Sequence, residues 1–143
     1  MIDQTSVGSD SALVVERALT ALKARDFDTL EALLDDDVVY VNVGTPATRN
    51  RRSTMRVMRL TRFVKLEVEV HRTTSNGATV LNERTDAIVI GPLRLQFWAC
   101  GVFEVRDGRI TLWRDYFDFY DFTRNGVLGV VGVIIPAVRP SMP

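Results

Sequence analysis

Between residues 64 and 119 the chain alternates polar and apolar side chains in four stretches punctuated by short turn signals. Asp107-Gly108, between EVR and RITLW, is a strong two-residue hairpin marker. Asn76-Gly77 joins the first pair of stretches in the same way, and Gly91-Pro92 breaks the second. The pattern predicts strands at roughly 64–73, 78–90, 93–106 and 109–119. Strands linked by consecutive hairpins pair antiparallel with their neighbours, so this half of the chain is a meander before anything else is known of it.

The segment before the meander reads mainly as helix. Asp10 or Ser11 can cap a helix running to about Ala24, with Ala12, Val15, Leu19 and Leu22 as an apolar stripe, and residues 1–9 read as a frayed lead-in. Phe27 to Leu34 reads as a second short helix ending in the acidic run Asp35-Asp36-Asp37. DVVYVNV then alternates as a strand, Gly44 to Asn50 is a loop, and Arg51 to Phe63 looks helical. Helices first and a meander afterwards give an α+β fold. The expected form is a curved, mostly antiparallel, cone-shaped sheet wrapped over the N-terminal helices, one face enclosing a deep apolar pocket. With 143 residues and no linker, repeat or low-complexity tract, residues 1–143 are expected to be a single domain.

Charge and composition exclude several roles. Lys+Arg and Asp+Glu balance at 18 each, so no net field draws the chain to nucleic acid or an anionic membrane. Arg49, Arg51, Arg52, Arg56, Arg59 and Arg62 cluster, but their segment lacks aromatics for base stacking and reads as a solvated basic face. Cys100 is the only cysteine and His71 the only histidine, which leaves no disulfide framework and no nitrogen/sulfur ligand set for a metal. His71 falls on the polar side of a strand and reads as solvated. A chain with one thiol fits a reducing cytoplasm. MIDQTSVGSDSALVVE has no basic segment ahead of an apolar one and does not read as a signal peptide. The apolar run at 126–138 falls short of the about 20 residues a membrane span needs. The segment 126–143 reads as a lid over the pocket or a subunit contact, in preference to a surface contact with lipid.

The chemistry sits in NERTDAIVI, residues 82–90. On a strand Asn82, Arg84, Asp86 and Ile88 share a face, so burying Ile88 buries an arginine and an aspartate. In ITLWRDYFDF, Trp113, Asp115 and Phe117 share a face, and Tyr40 and Asn42 do so in VYVN. Two aspartates and an arginine in an apolar cavity can divide labour. One carboxyl stays protonated as a general acid, the other is an ionised base, and the guanidinium holds both. Tyr40 and Asn42 are suited to fixing a water molecule. Spacing alone leaves this reading level with a purely structural ion pair of Arg84 with Asp86 or Asp115.

Taken together and in order, VYVN, NERTDAIVI and LWRDYFD closely resemble the limonene-1,2-epoxide hydrolase family, within the wider NTF2-like (SnoaL-like) superfamily. The resemblance covers most of residues 10–122. It implies a catalytic set of Arg84, Asp86 as acid, Asp115 as base, and Tyr40 with Asn42 holding the water. It also implies one-step hydrolysis of a small hydrophobic epoxide to a vicinal diol by a homodimer needing no metal and no cofactor. This chain departs from the small-terpene pattern in its basic loop GTPATRNRRST and its apolar tail. Met55, Met58, Ile88, Trp113, Phe117 and Phe122 would line a large greasy cavity, or equally would be plain core. Relatives with such features look suited to bulky lipid or sterol epoxides. Two rivals use the same fold: a ketosteroid-isomerase-like or cyclase-like enzyme, and a carrier of hydrophobic ligands. The first needs no water-binding pair, and the second has no reason to bury the polar set.

Overall fold

In a computed structural model the described residues are 4–143, with side chains described from residue 8. The helices are α1 (Gln4–Ala24), α2 (Phe27–Ala32), α3 (Arg51–Met58) and α4 (Phe119–Ile134). The strands are β1 (Leu34–Asn42), β2 (Thr48–Arg49), β3 (Lys65–Asn76), β4 (Thr79–Ile90), β5 (Leu93–Arg106) and β6 (Arg109–Phe117). They form one open sheet in the order β2-β1-β6-β5-β4-β3. Every pair is antiparallel except β1 with β6, which run parallel.

Two-residue turns set the meander. Asn76 pairs with Thr79, Ile90 with Leu93 and Arg106 with Arg109. Asp107 and Gly108 take positive φ values of 51° and 73°, the backbone such tight hairpins require. The first loop is Gly77-Ala78, one residue later than the expected turn, so β3 continues through Asn76. Extra residues at His71 in β3 and Thr111 in β6 form bulges that bend the strands that carry them.

The N-terminal half departs from expectation at several joints. α1 begins at Gln4, well before the Asp10 or Ser11 cap. Tertiary packing carries it further: Gly8 is buried, and a Cβ there would stand 3.0 Å from Ser75 Oγ, so the bare glycine lets the helix approach the β3–β4 turn. Residues 1–3 of the expected lead-in lie outside the described residues. α2, capped by Asp26 through Thr29 N–H, stops at Ala32. Leu34, fully buried, has already joined the sheet opposite Ile110. The acidic run therefore belongs to β1. Leu34 faces Ile110 and Val39 faces Leu112, so Asp35 to Val38 bulge opposite Thr111 alone. The expected loop at 44–50 contains the short β2, paired with Val39 and Tyr40. Helix α3 is capped by the Asn50 side chain and tightens into a 3-10 turn over Arg59–Phe63. Arg51 and Arg59 from this basic region form ion pairs with Asp36 and Glu31.

The core lies between the helices and one face of the sheet. Val15, Leu19 and Leu22 of the predicted stripe are buried, joined by Ala18 and Ala21, against Val80, Phe103, Ile110 and Trp113. Ala12 is only partly buried.

β6 pairs with β5 only as far as Phe117 opposite Ala99, and α4 runs along the part of β5 that this leaves bare. The Trp98 N–H donates to Asp121 Oδ2 at 3.0 Å. Gly129 packs so tightly that a Cβ would stand 2.2 Å from the Arg94 carbonyl oxygen. Asp118 caps the helix by accepting from the Tyr120 and Asp121 N–H groups. Val127, Val130, Val133 and Ile134 face solvent. No helix among the described residues is long and apolar enough to cross a membrane.

Candidate active site

The polar residues of three strands meet in one apolar cavity of about 280 Å³. Tyr40 and Asn42 come from β1, Arg84 and Asp86 from β4, and Asp115 from β6. The i, i+2 alternation of a strand brings each pair to the same side. The parallel β1–β6 pairing then places Tyr40 opposite Trp113 and Asn42 opposite Asp115.

Arg84 is the hub. Its side chain is only 3% exposed, so its charge is answered by protein groups rather than by solvent. Nε lies 3.0 Å from both carboxylate oxygens of Asp86. Nη2 lies 2.8 Å from Asp115 Oδ1, and Nη1 donates to Asn82 Oδ1 at 3.1 Å. Burial works against the guanidinium's charge, but Asp115 and Asp86 more than restore it and hold its pKa above the ordinary value. It is a fixed cation between two carboxyls.

The carboxyls differ in surroundings. For Asp86, burial is the largest influence and raises the pKa to about 6; Arg84 pulls it down and the Asp115 charge pushes it up. Asp115 accepts from Trp113 Nε1 at Oδ2, 3.1 Å away. Its Oδ1 lies 2.8 Å from Arg84 Nη2, an ion pair whose N–H is not well aligned, and no other described residue donates to it. That oxygen retains capacity to accept a proton-bearing partner.

Beside Asp115, Asn42 Nδ2 donates to the Tyr40 hydroxyl oxygen at 2.9 Å. With that oxygen accepting, the Tyr40 proton is free to be donated. Burial, reinforced by the Asp115 charge, raises the Tyr40 pKa to about 12. The phenol therefore stays neutral, and the Trp113 ring holds it edge-on with centroids 5.8 Å apart.

The apolar wall includes Met58, Ile88, Trp113, Phe117 and Phe122. Met55 is not in it. It points into the hydrophobic core, 2% exposed, because the helical α3 places Met55 and Met58 on different parts of its buried face. Leu19, Leu66, Val68, Phe97 and Ala99 complete much of the lining and were not anticipated. Phe97 and Ala99 were within reach of the sequence, because a two-residue turn at 91–92 sets Asp86 opposite Phe97 and Arg84 opposite Ala99. Asn82 and the Trp113 Nε1 donor were also missed as partners of the charges. Phe122 is the contribution of α4, and residues 126–143 lie outside the lining.

His71 is outside the lining as well, with Nε2 2.7 Å from Thr85 Oγ1. A larger, more open groove between α1 and β3 is lined by Glu16, Lys23, His71 and Arg72 and has no paired carboxylates. Among the described residues no three His, Cys, Asp or Glu side chains gather as metal ligands.

Residues 9–127 match the limonene-1,2-epoxide hydrolase catalytic domain family. Epoxide hydrolase EphG of Mycobacterium tuberculosis is 52% identical over 129 residues, spanning 90% of this chain and 87% of that protein. The solved structure of an M. tuberculosis LEH-like epoxide hydrolase superimposes with a TM-score of 0.90 at 49% identity, over 94% of this chain and 97% of the other. An NTF2-like protein from Burkholderia xenovorans LB400 has a TM-score of 0.68 at 15% identity, over 82% of this chain and 95% of the other, a likeness of fold alone. With its extent of match and its identity to EphG, this chain belongs to the limonene-1,2-epoxide hydrolase family of enzymes, on an NTF2-like fold.

Proposed function

We propose that this chain adds water to an epoxide in one step, with Asp115 as base and Asp86 as acid. Water is held by Asn42 and Tyr40 beside Asp115. Asp115 takes a proton from that water as its oxygen bonds to an epoxide carbon. The C–O bond of the ring breaks in the same event, and Asp86 delivers its proton to the departing oxygen. The product is a vicinal diol. Asp86 is left ionised and Asp115 protonated, and transfer of one proton between them restores the start. Arg84 keeps its charge throughout and bridges both carboxyls.

The observation that carries this reading is one buried guanidinium shared by two carboxyls in unlike surroundings. Asp86 holds a proton up to about pH 6, while Asp115 Oδ1 is partnered among the described residues by Arg84 alone. A structural ion pair alone has no use for the Asn42–Tyr40 pair next to Asp115.

The cavity favours an apolar epoxide. About 280 Å³ lies just below the range of ligand pockets, about 300 to 1,000 Å³. A terpenoid-sized epoxide fits within it, whereas a sterol or long lipid epoxide reacts with part of its body outside. Diol formation across a panel of terpene, fatty-acid and sterol epoxides ranks these classes. The family resemblance also carries the proposal of a homodimer, which sedimentation tests.

The mechanism is tested by a single turnover in oxygen-18 water with enzyme in excess. Direct attack puts the heavy oxygen into the diol at once. A route through an ester of an aspartate gives unlabelled diol on the first turnover and labels the protein, and that result overturns the one-step scheme.

A further inference from the structure

Arg84 and Asp115 stand on strands that are not neighbours. β4 and β6 are separated by β5, and adjacent strands lie about 4.8 Å apart. The guanidinium must therefore cross the face of β5 to reach Asp115. The residue it crosses is Gly101, which pairs with Asn82 on one side and with Asp115 on the other. A Cβ at 101 would stand 2.6 Å from Arg84 Nη1, 2.8 Å from Asn82 Oδ1 and 2.5 Å from Phe103 Cε2. No side chain fits there with Arg84 in place.

Asn82 closes the other side. It is 3% exposed, and its Oδ1 accepts from Arg84 Nη1 at 3.1 Å. Nε is taken by Asp86 and Nη2 faces Asp115, so Asn82 supplies the third direction of the planar fork. Without it Nη1 has no acceptor, flips of the fork about Nε–Cζ are opposed only by resonance and the two carboxyls, and the Nη2–Asp115 contact is less tightly set.

We infer that Asn82 and Gly101 are positioning residues for the hydrolysis: the bare backbone of Gly101 is the trough through which Arg84 spans β5, and Asn82 fixes the fork that holds Asp115. This rests on the reading of Arg84 and the two aspartates as the catalytic set.

The test combines kinetics with a measurement independent of turnover. In arginine-nitrogen NMR a guanidinium held on all sides shows separate, slowly exchanging Nη signals for Arg84 in the wild-type chain. Asn82→Leu keeps the branched shape at somewhat greater bulk and removes the acceptor. The expected result is Nη signals that broaden and merge, with kcat down about 100-fold while KM changes little. Asn82→Asp retains an oxygen in the same place and is expected to restore the separate signals. Gly101→Ala should act in the same direction, and if it fails to fold, the two Asn82 variants decide. Wild-type Nη signals in a folded Asn82→Leu chain overturn the inference, as does an unchanged kcat. Should the wild type open no epoxide, the hydrolase reading fails, and the NMR comparison still decides the positioning role.

Discussion

Arg84 Nε lies at an equal 3.0 Å from the two oxygens of Asp86, its neighbour two residues along the same strand. The guanidinium's other edge meets Asp115, so one rigid plane serves two carboxyls. An ammonium is a point charge and cannot reproduce that span. Arg84→Lys is expected to lose nearly as much turnover as either aspartate variant, with little change in circular dichroism. Arg84→Met leaves two buried carboxyls without their counter-charge, and unfolding in urea at neutral pH should show a loss of about 3–5 kcal/mol.

Asp115→Asn and Asp86→Asn are nearly isosteric, yet on the proposed mechanism the first removes the base and the second the acid. Each is expected to lower kcat by about 10²–10⁴-fold, the usual worth of a positioned proton-transfer group. Rapid-quench kinetics on purified, folded variants is the measurement.

On the proposed mechanism Tyr40→Phe removes one of several contacts to the water, and it is expected to cost less than either aspartate change. Asn42→Ala removes the group directly opposite Asp115 together with the donor that orients the Tyr40 hydroxyl, and should cost more than Tyr40→Phe. Comparing the two kcat values tests the order.

The pH dependence has a defined sign. Burial raises the Asp86 pKa from 3.8 to about 6, so the acid form is lost as pH rises through about 6. The alkaline limb of kcat/KM is expected there, reported by the coupled carboxyl pair as a unit. The same shift touches stability. The folded chain holds this proton more tightly than the unfolded one, so the contribution is complete below pH 3.8 and is lost as pH rises to about 6. In Asp86→Asn the unfolding free energy should lose that slope between the two values.

Helix α4 holds Phe122 in the cavity wall through its seat on β5. Gly129→Ala would set a Cβ against the Arg94 carbonyl and displace the helix, an overpacking cost of about 1–3 kcal/mol. Deleting residues 126–143 is expected to raise KM for a bulky epoxide more than it slows a small one. A shift to monomer with unchanged selectivity would instead assign this segment to a subunit contact.

Much of this was legible because strand alternation and two-residue turns are local. Gly91-Pro92 determined the register of β4 with β5, and with it the inward faces of Arg84 and Asp86. Asp107-Gly108 joins β5 to β6, but the extra residue Thr111 shifts that register by one and brings Asp115, rather than Arg114, to the same face. What local pattern could not reveal came from distant contacts. Gly8 against Ser75 extends α1 past its apparent cap, and Leu34 against Ile110 takes β1 back through the acidic run. The parallel union of β1 with β6 has no turn to announce it. For Met55 lining and core stay level in the sequence, because its spacing from Met58 does not distinguish the two, and the structure places it in the core.

That parallel union has a consequence for how the protein comes to life. β3 to β6 can zip sequentially through short loops, but β1 must return across the whole meander to dock on the last strand made. Contacts between such distant parts of a chain form slowly, because a long loop has to close before they gain anything. A chain in which the meander is finished and β1 is still adrift already has Arg84, Asp86 and Asp115 assembled. It has nowhere to seat the water. On the proposed mechanism catalytic competence waits for this long-range union, and the first appearance of activity during refolding is expected to coincide with the docking of β1.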